Sequence, residues 1–234
     1  MSMSSPPRPS PPPALSYCAL RTGGCVPAIL AFTTTTSALL GGQSSDDVHR
    51  SVAQALVGAP RAVQAIVEFG SELGVLVLVL ALLAQGRHAR RWGAAGVGRL
   101  LAGGAGVVLT YLLSEILKTW HRQERPCQAL PDLATVAACP PANDFSLPSN
   151  HAAVTAALAV ALFFVAPRTG RWTWLVVLAV GTSRVLLGVH HLHDVGSGVL
   201  LGVVVVTAAV LALDAPGRWA VQATASRRDR GESA

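Results

Sequence analysis

Residues 195–213 read VGSGVLLGVVVVTAAVLAL, a run without a single charged side chain. At about 1.5 Å of rise per residue, a helix of this length spans about 28 Å, close to the hydrocarbon thickness of a bilayer. Because lipid offers no hydrogen-bond partners to the backbone, such a run crosses a membrane as a helix. Similar, mostly apolar runs occupy residues 63–84, 94–117, 149–166 and 173–189. The pattern predicts an all-α protein, a polytopic bundle of transmembrane helices.

The remaining segments divide around this bundle. Residues 1–25 form a Pro/Ser-rich tail that we expect to be disordered, because it has too few apolar side chains to pack. Residues 26–45 are a possible first transmembrane helix, short and weakened by four consecutive threonines. We therefore expect five to six spans, with six favoured. Residues 46–214 are the predicted transmembrane core, and residues 215–234 are a predicted cytoplasmic basic tail.

The composition argues against an ordinary soluble domain. Hydrophobic residues make up 51% of the chain, charged residues only 13%, and the mean hydropathy is +0.49. The net charge of +6 could suggest a nucleic-acid partner, but the basic residues form short clusters between apolar runs instead of one polar face. We therefore expect a protein embedded in a membrane, with no nucleic-acid partner.

Basic clusters also indicate the orientation. On the predicted spans they fall on one side of the membrane, which the positive-inside rule makes cytoplasmic. They contain Arg87, Arg90, Arg91 and Arg99, then Arg168 and Arg171, and finally Arg218, Arg227, Arg228 and Arg230. The tryptophans lie near the predicted span ends, where their rings suit the headgroup level: Trp92, Trp120, Trp172, Trp174 and Trp219. The connections at residues 118–148 and 190–194 are thereby assigned to the outer face.

The longer outer connection contains Cys127 and Cys139. An oxidising compartment would permit a disulfide between them, and two free thiols are the alternative. None of the four cysteines lies in a CxxC or Cys/His zinc spacing, and the sequence offers no obvious carboxylate cluster to hold a metal ion.

The first polar cluster on the outer face is KTWHRQERP, residues 118–126. Two cations at the outer end of a span, Lys118 and Arg125, are costly unless an anion uses them. For either residue alone, a side chain that reaches the lipid headgroups is the simpler interpretation.

The second cluster is LPSNHA, residues 147–152, which opens the next helix. A serine at a helix start, here Ser149, caps the free backbone amides, and the same amides can bind an anion. Capping alone would explain Ser149, but it does not explain His151.

The third cluster is SRVLLGVHHLHD, residues 183–194, with Arg184 at the outer end of a span. His190 precedes Asp194 by four residues, a spacing that lets the carboxylate accept from one imidazole nitrogen and leave the other as a nucleophile. A lone histidine near a membrane surface is more often a polar bystander, and we assign His121, His191 and His193 to that class.

Together the three clusters resemble the signature of the type 2 phosphatidic acid phosphatase superfamily: K-x6-RP, then PSGH, then SR-x5-H-x3-D. Order and spacing agree, and the resemblance covers about residues 46–213. It implies a phosphatase that needs no metal or other cofactor and forms a phosphohistidine. His190 is the implied nucleophile, Asp194 orients it, and His151 acts as acid and base. The implied phosphate-binding residues are Lys118, Arg125, Ser149, Asn150 and Arg184.

Asn150 departs from the signature, which has glycine at this position. If the family requires a left-handed or closely approached backbone there, asparagine is the non-glycine residue that tolerates it best. We therefore expect the phosphate site to be retained, with the backbone amide of Asn150 as a donor.

A site at the outer membrane surface suits a substrate whose phosphate lies at the headgroup level and whose tail stays in lipid. We expect a polyprenyl diphosphate such as undecaprenyl diphosphate, at a plasma membrane, with the site facing the periplasm or the cell exterior. Phosphatidate, phosphatidylglycerophosphate and a prenyl phosphosugar are the alternatives. A vanadium-dependent haloperoxidase and a non-catalytic membrane scaffold or transporter are less favoured. The sequence does not indicate an oligomeric state.

Overall fold

A computed structural model describes residues 43–130 and 132–231. The predicted disordered tail (1–25) and all but the last residues of the possible first span (26–45) lie outside this part of the chain. Seven helices occur in it, and it contains no strand. They are α1 (Gln43–Val57), α2 (Arg61–Arg91), α3 (Gly93–His121), α4 (Pro126–Ala129), α5 (Asn150–Val165), α6 (Pro167–Leu186) and α7 (Leu192–Gly231). The all-α prediction is confirmed.

Five of these helices correspond to the five strongest predicted spans. Within the described residues, three segments are long and apolar enough to cross a membrane: Arg61–Arg91, Gly93–Ala129 and Leu192–Leu213. Helix α5 is apolar but has only 16 residues. Helix α6 has 20 residues but includes three arginines. The number of spans, five to six, therefore stays a prediction.

Large apolar side chains cover much of the outside of the bundle. Ile66, Leu83 and Leu178 are 70%, 68% and 67% exposed, respectively. A soluble protein would bury side chains of this kind, whereas a helix bundle in lipid turns them outward. The exposed surface of α2 and α6 agrees with a position against acyl chains.

Helix α5 lies at the centre of the bundle and packs against α2, α3, α6 and α7. Its interior positions from Ala152 to Leu162 are mostly alanine and almost all buried. A helix that is apolar on every side is typical of a protein core or of a membrane span, and here the surrounding helices bury it. Small side chains also allow those neighbours to approach closely.

Gly198 and Gly202 of α7 make two of these close approaches. A Cβ atom at Gly198 would lie 2.6 Å from the carbonyl oxygen of Ser149, and one at Gly202 would lie 2.4 Å from that of Ala153. The amide of Ser149 also donates to the carbonyl of Asp194 at 3.0 Å. The beginnings of α5 and α7 are therefore fixed side by side.

The two single-residue connections and the longest connection lie at opposite ends of the bundle. Trp92 alone joins α2 to α3, and Ala166 alone joins α5 to α6. The connection from α3 to α5 lies at the other end, where a disulfide joins Cys127 to Cys139. Of the two alternatives left by the sequence, the structure has the disulfide.

Helix α7 continues beyond the predicted end of the last span. Its backbone stays helical through residue 231, so most of the predicted tail, 215–234, extends the same helix. The change from apolar to polar sequence near residue 214 ends the membrane-like segment without ending the helix.

Candidate active site

The residues singled out in the three sequence clusters come from helix ends and connections at one end of the bundle. Lys118 lies in the last turn of α3 and Arg184 in the last turn of α6. Ser149 is the N-cap residue of α5, which His151 helps to open, and Asp194 lies in the first turn of α7. Arg125 precedes α4, and His190 lies between α6 and α7. Antiparallel packing of α3, α5, α6 and α7 places these ends together.

His190 and Asp194 are both buried, with 2% and 0% of their surface exposed. Nδ1 of His190 lies 3.6 Å from Oδ2 of Asp194, which is too long for a hydrogen bond. The Ser146 hydroxyl lies between them: it donates to Oδ2 of Asp194 and is 3.4 Å from Nδ1 of His190. Sequence reasoning missed Ser146, although it lies only three residues before Ser149.

Backbone contacts also hold this pair. The amide of His191 donates to Oδ2 of Asp194 at 2.7 Å. Nε2 of His49, on α1, donates to the carbonyl of His190 at 2.8 Å. Burial lowers the pKa of His190 to about 4 and outweighs the attraction of Asp194. His190 is therefore a neutral imidazole at pH 7.

The other ring nitrogen of His190 faces a cation. Nε2 lies 3.0 Å from Nη1 of Arg125, which also donates to the carbonyl of Val189 at 3.1 Å. A guanidinium has no acceptor, so Nε2 must accept and the proton of the neutral ring belongs on Nδ1. This tautomer directs the lone pair of Nε2 away from Asp194 and toward Arg125.

Lys118 and Arg125 share an acidic partner that the sequence did not indicate, Asp144. Nζ of Lys118 lies 3.1 Å, and Nη2 of Arg125 2.9 Å, from the same oxygen, Oδ1 of Asp144. Both cations are buried, whereas Asp144 is about half exposed. Burial would raise the pKa of Asp144, but bonding and attraction from Arg125 and Lys118 together hold it below its ordinary value. The carboxylate is ionised at neutral pH.

His151 and Arg184 meet at a second carboxylate, that of Glu72 on α2. Nε2 of His151 lies 2.8 Å from Oε1 of Glu72. Nη1 of Arg184 lies 3.8 Å from the same oxygen and donates to Oγ of Ser71 at 3.3 Å. Glu72 therefore links the two residues by contacts that no sequence motif indicated.

Two polar atoms of the site are buried and have no hydrogen-bond partner among the described residues: Oγ of Ser149 and Nε of Arg184. Buried polar atoms in proteins usually have a partner. The hydroxyl of Ser149 does not cap α5, because its side chain makes no capping hydrogen bond. The capping interpretation of Ser149 is thus wrong, and its donor is free for another use.

The side chain of Asn150 turns toward α3. Its Oδ1 accepts from Oγ of Ser114, and its Nδ2 donates to Oε1 of Glu115, each at 2.5 Å. Asn150 has the helical conformation of the first residue of α5, and Arg122 is the non-glycine residue with positive φ among those described. Asparagine is therefore not needed here for a left-handed backbone. Its side chain links α5 to α3 through these two hydrogen bonds.

His191 and His193, classed above as bystanders, both contact Asp194. With Asp194 they form the group of described residues whose ligand atoms, within 4.8 Å of one another, could hold a metal ion. Nε2 of Gln123 lies among these atoms, 2.7 Å from His193, 3.2 Å from Asp194 and 3.4 Å from His191. The amide nitrogen of Gln123 thus contacts all three residues, and its two N–H groups can donate to two of them at a time.

Comparison with known proteins identifies the family. The model of the PAP2 superfamily matches residues 99–218. The decaprenylphosphoryl-5-phosphoribose phosphatase of Mycolicibacterium smegmatis is 36% identical over 162 residues, 67% of this chain and 82% of that protein. The bacitracin transport permease protein BcrC of Bacillus licheniformis is 35% identical over 97 residues, which span 41% of this chain and only 46% of BcrC.

The fold also resembles a solved structure. A transmembrane PAP2 type phosphatidylglycerolphosphate phosphatase from Bacillus subtilis superposes with a TM-score of 0.55 at 22% sequence identity, and the match covers 78% of this chain and 92% of that one. The three clusters that carry the candidate site all lie within the matched family region. This chain belongs to the PAP2 superfamily and is a multi-pass membrane protein.

Proposed function

We propose that this protein is a lipid phosphatase that acts through a phosphohistidine at His190. The observation that carries the proposal is the state of this residue. His190 is buried, its Nε2 faces Arg125, and Ser146 and Asp194 lie at its Nδ1. Burial lowers its pKa to about 4, which favours the neutral ring. A neutral imidazole oriented by a carboxylate is an activated nucleophile.

The first step forms a bond between Nε2 of His190 and phosphorus and breaks the bond from phosphorus to the lipid oxygen. A protonated His151 gives its proton to that leaving oxygen. Asp194 stabilises the positive charge that develops on the ring. In the second step His151 removes a proton from water, whose oxygen attacks phosphorus. The bond to Nε2 breaks, and His190 returns to its neutral form with release of phosphate.

Cations and neutral donors stabilise the phosphoryl group during both steps. We assign its oxygens to Lys118, Arg125 and Arg184, to Oγ of Ser149 and to the amide of Asn150. The free, buried donors of Ser149 and Arg184 support this assignment. Three fixed positive charges provide the electrostatic stabilisation that a metal ion gives in other phosphoryl-transfer enzymes. We therefore propose a metal-independent reaction.

Two observations support a site on the outer face. The disulfide Cys127–Cys139 lies in the connection that carries Arg125 and Asp144, and disulfides persist in oxidising compartments. The arginine-rich turns lie at the opposite end of the bundle, as the positive-inside rule requires of a cytoplasmic side. We propose a plasma-membrane protein of five to six spans, with six favoured, whose site faces the periplasm or the cell exterior.

The substrate we favour is a polyprenyl diphosphate such as undecaprenyl diphosphate. Its terminal phosphate lies at the headgroup level, and its leaving group, a lipid phosphate, departs more easily than an alkoxide. A polyprenyl phosphosugar is the second candidate. It is favoured by the relative from M. smegmatis, whose name specifies a decaprenylphosphoryl phosphoribose and which the match covers to 82%.

The test is phosphate release by detergent-purified protein in EDTA. Undecaprenyl diphosphate, a polyprenyl phosphosugar, phosphatidate and phosphatidylglycerophosphate are offered side by side. We expect release that His190→Ala abolishes and that His88→Ala, a histidine paired with Trp92 at the other end of the bundle, retains. Release that requires a divalent metal would contradict the metal-independent mechanism. Bromide oxidation with added vanadate would favour the haloperoxidase alternative.

A further inference from the structure

Asp144 belongs to none of the three sequence clusters, yet it contacts two of the proposed phosphate ligands. It lies in the connection from α4 to α5, in a turn closed by its amide and the carbonyl of Pro141 at 2.9 Å. One oxygen of its side chain serves both Lys118 and Arg125. The carboxylate thus occupies the same two donors that we assign to the substrate phosphate.

Arg125 has few donors to spare. Its Nε donates to the backbone carbonyl of Asp144 at 2.8 Å, and its Nη1 to Val189 and His190. Its Nη2 contacts the carboxylate of Asp144 at 2.9 Å. A guanidinium has five N–H groups, so a phosphate that binds Arg125 in the bidentate manner must replace at least one of these partners.

Nε2 of His190 gives up its contact with Nη1 only when it attacks phosphorus, so the partner that a phosphate displaces on binding is the Asp144 carboxylate. It is the one anion among the four acceptors of Arg125, and its side chain is 44% exposed, whereas the carbonyl of Val189 and the ring of His190 are buried. Rotation of the side chain would carry the carboxylate into water while the backbone oxygen of Asp144 still holds Nε of Arg125. The guanidinium would therefore keep its position during the exchange.

Charge requires this exchange. A phosphate oxygen on Lys118 and Arg125 would lie within a few ångströms of Oδ1 of Asp144, and two like charges about 4 Å apart repel by about 1 kcal/mol even in water. We propose that Asp144 is an internal counter-anion of the phosphate site, which competes with the substrate phosphate for Lys118 and Arg125 and so sets the affinity of the site. The inference rests on the proposed function, because that function assigns the phosphate to these cations.

The variant Asp144→Asn tests the inference, since it keeps the shape and the acceptor oxygen and removes the charge. Inorganic phosphate is the probe, measured on the detergent-purified full chain by thermal shift and as a competitive inhibitor of lipid hydrolysis. We expect Asp144→Asn to bind phosphate about three- to tenfold more tightly than the unaltered protein and to lower KM by a similar factor. Unchanged or weaker phosphate binding would overturn the inference.

Glu115→Gln is the matched control. Glu115 is also about half exposed and lies 3.5 Å from Nζ of Lys118, but it does not contact Arg125. A gain in affinity equal to that of Asp144→Asn would show a general effect of charge and contradict an exchange at Arg125.

The two proposals can fail separately. Lipid hydrolysis with no gain in phosphate affinity in Asp144→Asn refutes the counter-anion alone. A gain in affinity without hydrolysis of any lipid refutes the phosphatase proposal alone. If neither the unaltered protein nor Asp144→Asn binds phosphate, the counter-anion proposal is refuted, because Lys118 and Arg125 are then not a phosphate site.

Discussion

Nη1 of Arg125 lies 3.0 Å from Nε2 of His190. The contact joins a proposed phosphate ligand to the proposed nucleophile, and it fixes which ring nitrogen carries the lone pair. It also brings together two sequence clusters that are separated by more than sixty residues. Most of the expected behaviour of the site depends on the geometry around this pair.

Arg125→Lys keeps the positive charge but removes the fork of donors. A lysine cannot contact Val189, His190 and Asp144 at once, because its donors lie on a single nitrogen. We expect kcat/KM for lipid hydrolysis to fall about a hundredfold. Arg122→Lys, an exposed neighbour in the same connection, should stay within twofold of the unaltered protein. Equal activity of both variants would contradict the role of the guanidinium.

Ser146→Ala removes the hydroxyl between His190 and Asp194. The buried carboxylate then loses a donor, so we expect a loss of about 1–3 kcal/mol in the free energy of unfolding. We also expect a fall in kcat with little change in KM, because the hydroxyl acts on the nucleophile and not on the lipid. Ser197→Ala is the control: its hydroxyl is also buried but bonds only to carbonyls of its own helix. If Ser197→Ala lowers kcat as much, the effect is structural.

The pH dependence of stability follows from His190. Its pKa is about 4 in the folded protein and about 6.5 in an unfolded chain. Between these values the unfolded state binds more protons, so stability rises with pH. The neutral ring of His190 thereby contributes about 3 kcal/mol to the free energy of unfolding. This contribution is fully present above pH 6.5 and is lost as pH falls through 4. Tm in detergent from pH 4 to 8 measures it, and His190→Gln should flatten the profile. Identical slopes in both proteins would show that burial of His190 is not its cause.

Substitutions at Asn150 test the two hydrogen bonds that link α5 to α3. Asn150→Gly restores the residue of the family signature but loses both side-chain hydrogen bonds, so we expect a lower Tm with hydrolysis retained. Asn150→Asp places a carboxylate against Glu115, and like charges at that distance should lower Tm further. A higher Tm for Asn150→Asp than for Asn150→Gly would contradict the observed bond to Glu115.

The disulfide supports the connection that holds the phosphate site. Replacement of both Cys127 and Cys139 by serine opens a loop with a sequence separation of 12. We expect a loss of about 3 kcal/mol in stability. KM should rise as well, because Arg125 and Asp144 lie in the same connection. An unchanged KM would show that the rest of the connection positions both residues without the bridge.

Much of the fold was predictable because hydrophobic length is a local property of the sequence. The runs at residues 63–84 and 195–213 correspond to α2 and α7. Because successive spans run in opposite directions, the order of the runs already placed the three clusters at one end of the bundle. The partners Ser146, Asp144 and Gln123 were not predictable. They lie in irregular connections without periodicity, and their contacts depend on how the chain folds back over the helix ends. The contact of Glu72 with His151 was not predictable for a related reason, since only the packing of α2 against α5 and α6 brings the two residues together.

The most direct test of the central claim is detection of a phosphohistidine at His190. Protein mixed with lipid substrate is quenched in alkali, because phosphohistidine is labile in acid, and the peptide that contains His190 is examined by mass spectrometry. We expect a phosphoryl group on His190, more of it in His151→Ala, where water is activated slowly, and none in His190→Ala. A phosphoryl group on another residue, or phosphate release that continues in His190→Ala, would contradict the mechanism.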